Sequence, residues 1–343
     1  MDTVNFGKMI SVENLLLAWK EFIRGKRKRK DVQEFQLYLM DNVLSLHNDL
    51  KKKTYIHGRY YAFNISDPKP RNINKASVRD RLFHHAIYLI LYPYFDKKFI
   101  HDSYSCRRRK GTHKTMNRFR SFFRKVSQNN TKTCWVLKCD IKKFFANINH
   151  KILKEILSKC LFDANILWLF SQVIDSFHVQ PNVTNSAIAE NVTNPIYAMA
   201  EICKGLPLGN LTSQLLVNIH MNKFDQFVKR ELKVKYYIRY ADDFVILSDN
   251  KNYLFDLLPK ISDFLEQELK LQLHPDKVFI KTIASGVDFL GCVHFPYHRV
   301  LRTVAKRKMV RKIKDNSKLK TIQSYVGLLK HGNTHKLQEK ILK

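Results

Sequence analysis

The sequence is short of acidic residues and of long apolar runs. Its 30 Asp and Glu residues oppose 61 Lys and Arg residues, which leaves a formal net charge of +31 at pH 7. Such an excess predicts a polyanionic partner, either nucleic acid or an anionic membrane surface. Because no apolar run is long enough to span a bilayer, we expect nucleic acid and no membrane partner.

Paired cysteines are also missing. The six cysteines form no Cys-x-x-Cys pair, a pattern typical of reduced thiols rather than of a zinc site or a disulfide framework. The N-terminus is mixed in charge and has no small-residue cleavage site, so we expect no signal peptide and a cytoplasmic protein. The chain also lacks an internal repeat and a low-complexity linker.

Residues 236–248 carry two adjacent acids between two β-branched and aromatic runs. This pattern predicts a β-hairpin with Asp242 and Asp243 at its tip. Like charges held so close repel each other unless a proton or a cation intervenes, and Mg²⁺ prefers carboxylate oxygens. For these residues alone, a turn that faces water is the simpler interpretation.

A second apolar strand, residues 135–139, leads into another acid, Asp140. Beside the hairpin, it would give three carboxylates at one end of a sheet, enough for the two Mg²⁺ ions of phosphoryl transfer. In Asp140 and the Tyr-Ala-Asp-Asp box at 240–243, the chain resembles the reverse transcriptase family. The resemblance implies two Mg²⁺ ions, with Mn²⁺ as a substitute, held by Asp140, Asp242 and Asp243 with help from the Ile141 carbonyl.

The resemblance spans roughly residues 55–335 and implies an α+β fold. The expected fold is a right-hand polymerase with fingers, a palm of antiparallel strands backed by helices, and a short helical thumb. The expected domains are an N-terminal helical basic extension (1–54), fingers (55–134), a palm (135–285, with a fingers-side insertion at about 160–205), and a primer grip and thumb (286–343).

Within the N-terminal extension, apolar spacing predicts helices over 11–23 and 31–52. The basic run at 24–30 between them is explained equally well by a solvated loop and by phosphate contact.

The fingers segment 55–73 combines an aromatic strand, a proline-bounded turn and a second strand into a basic hairpin. It resembles the family's hairpin that folds over the incoming nucleotide. By that match Arg71 holds the triphosphate, and Lys69 lies close by. An ordinary surface hairpin is the alternative, and for Lys69 the two interpretations are equally strong.

Phe145 stands five residues after Asp140, where reverse transcriptases carry an aromatic gate against the ribose 2′-hydroxyl. The alternative is a core residue, since Phe144 stands beside it and one of the two must pack inward. In the nucleotide-side loop at 204–214, Leu208 and Gln214 depart from the family pattern, in which glutamine and proline are usual. The loop, with Gly209 beside Leu208, resembles enzymes of diversity-generating retroelements.

An aliphatic residue at position 208 is associated in that group with lax nucleotide selection, and a leucine offers no hydrogen bond to the nascent base pair. The alternative is that Leu208 merely packs. Lys277 resembles a lysine proposed to protonate departing pyrophosphate, and an ordinary surface lysine is equally plausible. Residues 287–292 resemble the primer-gripping hairpin, which assigns Phe289, Leu290 and Gly291 to the primer grip.

These resemblances imply an RNA-directed DNA polymerase, encoded by a bacterium or a phage. Its expected partners are an RNA template, a DNA or RNA primer and deoxynucleoside triphosphates, joined by a structured noncoding RNA and a small accessory protein. One rival is a related enzyme that acts in antiphage defence. The other is a non-catalytic RNA-binding module, which the intact set of three acids disfavours.

Overall fold

The computed structural model describes residues 4–66, 70–179, 203–315, 319–329, 332–334 and 338–339. Lys69 and most of the predicted insertion therefore lie outside the described residues. The chain forms two compact units. The first comprises Met1–Ile100, Lys142–Gln226 and Phe264–Gln272, and the second comprises His101–Ile141, Phe227–Asp263 and Leu273–Lys343.

The described helices and strands alternate irregularly along the chain, as expected for an α+β fold. The helices are α1 (Phe6–Ile10), α2 (Val12–Phe22), α3 (Lys30–Leu37), α4 (Leu39–Lys51), α5 (Val78–Asp96), α6 (Thr112–Val126), α7 (Phe144–Asn147), α8 (His150–Cys160), α9 (Ala164–Asp175), α10 (Leu211–Gln226), α11 (Lys251–Leu269), α12 (Thr303–Asp315) and α13 (Leu319–Leu329). The strands are β1 (Tyr61–Ile65), β2 (Arg71–Lys75), β3 (Trp135–Asp140), β4 (Tyr237–Tyr240), β5 (Asp243–Ser248), β6 (Phe279–Thr282), β7 (Val287–Phe289), β8 (Cys292–His294) and β9 (Arg299–Leu301).

The first unit contains the predicted amphipathic helix α2. Ser11 caps it by accepting a hydrogen bond from the Asn14 backbone N–H, and the helix buries Leu15, Trp19 and Phe22. Its main packing partner is the long helix α5. The prediction for residues 11–23 is therefore confirmed.

Residues 31–52 are helical almost throughout, as predicted, but the chain breaks at Tyr38 into α3 and α4. Tyr38 has φ −117° and ψ 41°, and its side chain is exposed. At the break, the Asn42 side-chain amide donates to the Phe35 carbonyl at 3.0 Å, which satisfies an acceptor that α3 leaves open at its end. The break leaves Val43 and Leu46 of α4 buried.

The second unit contains the predicted antiparallel sheet, with strand order β4-β5-β3-β6. The mainly apolar strands β3, β4 and β5 are buried along most of their length, whereas β6 is only partly buried. The core around them joins strand residues Val136, Ile238 and Val245 to Phe119 and Phe123 of α6. A separate three-stranded antiparallel sheet, β7-β8-β9, carries the segment predicted to grip the primer.

The six cysteines of the chain are free. Among the described residues, no helix is both long and apolar enough to cross a membrane.

Candidate active site

The hairpin predicted around the paired acids is present. β4 and β5 pair antiparallel with Tyr240 opposite Asp243, so Ala241 and Asp242 form the turn. Ala241 takes a left-handed conformation (φ 56°), which is costly for a residue with a side chain. The fully buried Arg239 supports it, because its guanidinium donates to the Ala241 carbonyl at 3.1 Å and to Ser103 Oγ at 3.1 Å.

Asp140 lies directly beside this hairpin. β3 pairs antiparallel with β5, and its last residue, Asp140, stands opposite Asp243. Two backbone hydrogen bonds fix this end of the sheet: Ile141 N–H donates to the Asp242 carbonyl at 3.3 Å, and His274 N–H donates to the Asp140 carbonyl at 2.8 Å. The structure thus brings the three predicted acids together at one end of one sheet.

The three carboxylates at this site repel one another in a largely buried environment. Burial, followed by the nearby charges of Asp243 and Asp140, raises the pKa of Asp242 to about 6. Burial also raises the pKa of Asp243; the charge of Asp140 adds to this effect and the ammonium of Lys138 opposes it. A site with this electrostatic character favours a bound cation.

Two lysines contact the acids. Lys277 Nζ lies 3.2 Å from Asp140 Oδ1, and Lys138 Nζ lies 3.4 Å from Asp243 Oδ1. The sequence reasoning named Lys277 for the nucleotide side and missed Lys138. The sequence shows Lys138 as a charged residue inside an otherwise apolar strand. It stands two residues before Asp140, and the two side chains therefore lie on the same face of the strand. Lys138 is buried, as expected of a lysine paired with an acid.

The donor chemistry of the site fits a hard divalent cation, because the three side chains offer only oxygen. Asp243 Oδ1 is buried and accepts no hydrogen bond within the described residues. Lys138 and Lys277 each contact one of the acids. In the described part of the chain, no group of three His, Cys, Asp or Glu side chains lies close enough together to hold a metal ion. The donors fit the metal, and their present side-chain positions do not form its coordination sphere.

The predicted primer-grip residues divide into one buried residue and a half-buried turn. Phe289 is fully buried and packs against Phe119, with ring centroids 5.3 Å apart. Leu290 (φ 52°) and Gly291 (φ 86°) form the turn between β7 and β8. The backbone N–H of Arg302 stabilises the turn by donating a hydrogen bond to the Gly291 carbonyl at 3.2 Å. Any contact with a primer would therefore come from the turn rather than from the Phe289 ring.

The first unit holds most of the residues predicted to face the nucleotide. The Asn74 N–H of β2 donates to the Leu208 carbonyl at 3.1 Å, which joins the loop to the hairpin strand that begins at the exposed Arg71. Gly209 has φ 108°, and a Cβ added to it would lie 3.0 Å from Ile73 Cγ2, so this close approach requires glycine. Leu208 is half-buried, as is Gln214 in the first turn of α10.

Phe144 and Phe145 also take different environments. Phe144 is buried, whereas Phe145 is half-buried and its carbonyl accepts a hydrogen bond from Leu206 N–H at 2.8 Å. The residue that packs inward is therefore Phe144. This leaves the Phe145 ring available for contact, and its role as a gate stays a prediction.

Comparison with known proteins places this arrangement in a family. Residues 50–294 match the model of the family described as reverse transcriptase (RNA-dependent DNA polymerase). The chain belongs to the reverse transcriptase family. The match begins at the end of α4 and includes Asp140, Asp242 and Asp243, so the palm predicted from these residues is confirmed as part of a reverse transcriptase fold.

Individual reverse transcriptase relatives are distant. Protein YkfC of Escherichia coli K12 is 25% identical over 269 residues, covering 69% of this chain and 65% of YkfC. The group II intron-encoded protein LtrA of Lactococcus lactis is 22% identical over 295 residues, covering 68% of this chain and 46% of LtrA. The chain thus spans less than two thirds of the length of both relatives.

A solved structure, the apo telomerase of Candida tropicalis, shares 14% identity with a TM-score of 0.49. The structural match covers 70% of this chain and 48% of the telomerase chain.

Proposed function

We propose that this reverse transcriptase is an RNA-directed DNA polymerase that copies an RNA template from a DNA or RNA primer. The observation that carries the proposal is the placement of Asp140 opposite Asp243, with Asp242 in the adjoining turn, inside the segment that matches the family. Primer extension on a defined RNA template with all four deoxynucleotides tests it, and the expected product is DNA complementary to the template.

The three acids would hold two Mg²⁺ ions, or Mn²⁺ in their place, with the Ile141 carbonyl as a further ligand. When bound, the ions would stabilise the negative charge of the transferring phosphoryl group. The protein's own contribution is to orient the carboxylates and to limit their mutual repulsion. Lys138 favours the ionised form of Asp243, and the two lysines offset like-charge repulsion among the acids.

Other roles in this proposal follow the family resemblance. Arg71, with Lys69, would hold the triphosphate of the incoming deoxynucleotide, and Lys277 would act on the pyrophosphate side. The Leu290–Gly291 turn would contact the primer. Because the predicted thumb is short, we include a structured noncoding RNA and a small accessory protein among the proposed partners.

Phe145→Ala should admit ribonucleotides. The ring is the half-buried member of the pair, and its removal would leave room for a ribose 2′-hydroxyl. Steric exclusion of this kind should be worth about tenfold or more in the ratio of deoxynucleotide to ribonucleotide incorporation. Single-nucleotide extension with each triphosphate measures the ratio. If the ratio were unchanged in an active variant, Phe145 would have no role in the selection of deoxyribose over ribose.

We further propose that synthesis is error-prone and serves a diversity-generating retroelement. Support comes from Leu208, whose apolar side chain is half-buried in a loop bonded to β2 and offers no hydrogen bond to a base pair. A role in antiphage defence is the competing proposal. Neighbouring genes distinguish the two, since a variable-protein gene with a template repeat belongs to the retroelement and a defence cassette to the alternative.

Leu208→Gln should lower the error frequency. An amide at this position can form one hydrogen bond to a correctly paired base, and one such bond is worth about fivefold in discrimination. Sequencing of extension products from parent and variant measures the change, which should be largest opposite template adenines. If both proteins give the same error spectrum, Leu208 has no part in fidelity. Faithful or repetitive products from the parent would favour the defence role.

A further inference from the structure

Lys138 is a buried cation in the four-stranded sheet that carries the three acids. In the register of the strands, it lies on β3 between Val245 of β5 and Phe279 of β6. The residue is 6% exposed, and a lysine is rarely buried to this extent unless an acid pairs with it. Stability alone does not explain such a residue, because apolar side chains in place of a buried ion pair are often neutral or stabilising.

The acid that pairs with Lys138 is Asp243. Lys138 Nζ lies 3.4 Å from Asp243 Oδ1, and within the described part of the chain Lys138 forms no second ion pair. This separation exceeds the roughly 2.7–2.9 Å of a tight charge-assisted hydrogen bond. Attraction between the two charges thus holds Asp243, through a contact loose enough to be exchanged for another cation.

A divalent ion on Asp243 would compete with the ammonium of Lys138. Both are cations that require the same carboxylate, and like charges repel each other strongly where burial excludes water. The side chains of Lys138 and Asp243 are 7% and 25% exposed. Solvent and salt therefore screen the repulsion between Lys138 and a metal ion only weakly.

The second lysine of the site differs in this respect. The side chain of Lys277, which contacts Asp140, is 43% exposed and can turn into water when an ion binds. Lys138 is too deeply buried to do so. Within its reach is the ring of Phe279, whose centroid lies 5.9 Å from Nζ and whose face can stabilise a cation. Lys138 therefore keeps its charge near the acids whether or not an ion is bound.

We infer that Lys138 is a positioning residue that acts through Asp243. Its ammonium holds the Asp243 carboxylate in the metal-free protein and thereby lowers the affinity of the three acids for divalent ions. When an ion binds, Asp243 exchanges the ammonium for the ion, and Lys138 moves towards the Phe279 ring. The inference rests on the proposed function in taking Asp140, Asp242 and Asp243 as the metal site.

Binding of Mn²⁺ to the full chain, without nucleic acid or nucleotide, tests the inference. Electron paramagnetic resonance measures free Mn²⁺ during a titration at constant pH, and the binding that Asp242→Ala loses reports the site of the three acids. Lys138→Met removes the charge and keeps a long side chain in the apolar strand, so it should tighten this binding about tenfold. Lys138→Arg keeps the charge and should stay within about twofold of the parent.

Lys281→Met is the matched control. Lys281 lies on β6 of the same sheet, but it is exposed and, in the structure as described, pairs with none of the three acids. Loss of its screened charge should change the Mn²⁺ affinity less than about twofold. A general effect of net charge would appear in both methionine variants, whereas an effect through Asp243 appears only in Lys138→Met.

Thermal unfolding supplies a second readout. Because a ligand that binds more tightly stabilises the fold more, Mn²⁺ should raise the unfolding midpoint of Lys138→Met more than that of the parent. Lys138→Gln is neutral and can still donate a hydrogen bond to Asp243. It should also tighten Mn²⁺ binding, and it provides the same test if the methionine variant does not fold.

Equal or weaker Mn²⁺ binding by the neutral Lys138 variants would overturn the inference, and so would a lack of measurable binding in these variants and the parent. Equal tightening in Lys138→Arg or Lys281→Met would overturn it as well. Because the assay contains no nucleic acid or nucleotide and measures no synthesis, its failure is separate from a failure of primer extension.

Discussion

Asp242→Ala should abolish primer extension while RNA binding stays within about twofold of the parent. Asp242 lies in the turn next to Asp243, which faces Asp140, and its loss would remove one of three carboxylates from the proposed metal site. We expect a rate reduction of about a thousandfold or more, equivalent to about 4 kcal/mol. Rates from primer extension and affinities from fluorescence anisotropy with labelled RNA measure the two effects.

The same variant should keep its thermal stability. Asp242 contributes repulsion rather than a stabilising contact, since burial and its acidic neighbours raise its pKa. A matched control is Asp249→Ala, at an exposed acid just after β5, which should retain full extension. Extension by Asp242→Ala at the parent's rate, or an equal loss in both variants, would contradict the assignment of the carboxylate site.

Asp80→Ala should lower the free energy of unfolding by about 3 to 5 kcal/mol. The Asp80 carboxylate is buried in the first turn of α5, where it accepts hydrogen bonds from Tyr55 Oη (2.6 Å), Ser77 Oγ (2.6 Å) and the Gly58 N–H (3.2 Å). Removal of the carboxylate would leave these donors unsatisfied. Denaturant unfolding followed by circular dichroism measures the loss.

Asp80 also predicts a pH dependence. Burial raises the pKa of Asp80, but His57 and the hydrogen-bond donors outweigh burial and hold the pKa below its ordinary value. The pKa of Asp80 is lower in the folded state than in the unfolded state. Ionised Asp80 therefore stabilises the fold at pH values above its unfolded-state pKa, and this stabilisation is lost as the pH falls through its folded-state pKa.

Asp41→Ala, at an exposed acid of α4, is the control and should change stability by less than about 0.5 kcal/mol. If Asp80→Ala were as stable as this control, the hydrogen bonds to the Asp80 carboxylate would not contribute to the stability of the fold.

Much of the fold follows from local sequence patterns. Ser11 caps α2 as expected, and Asn149 caps α8 by accepting a hydrogen bond from the Ile152 N–H at 3.1 Å. The break at Tyr38 could not be predicted, because the apolar spacing continues through it and the hydrogen bond from Asn42 to Phe35 that satisfies it is a tertiary detail. Local periodicity thus predicts helices better than it predicts where they end.

The candidate active site likewise contains residues that the sequence predicts and residues that it does not. Asp140 and Asp243 stand at strand ends and Asp242 in the adjoining turn, and the sequence pattern predicts all three positions. Lys138 and Arg239 lie inside apolar strands, and only the sheet register and the turn geometry show what they contact. Likewise, the basic run at 24–30 gives no reason to single out Arg29, which lines a pocket together with the distant residues Ile73 and Asn210.

The central claim is tested most directly by extension of a DNA primer on a heteropolymeric RNA template of known sequence, with Mg²⁺ and the four deoxynucleotides. The account predicts a product that resists ribonuclease, is degraded by deoxyribonuclease and is complementary to the template over its length. Sequencing of RNA that copurifies with the protein supplies a second template for the same assay. Absence of DNA synthesis on both templates, by protein shown to bind them, would contradict the account.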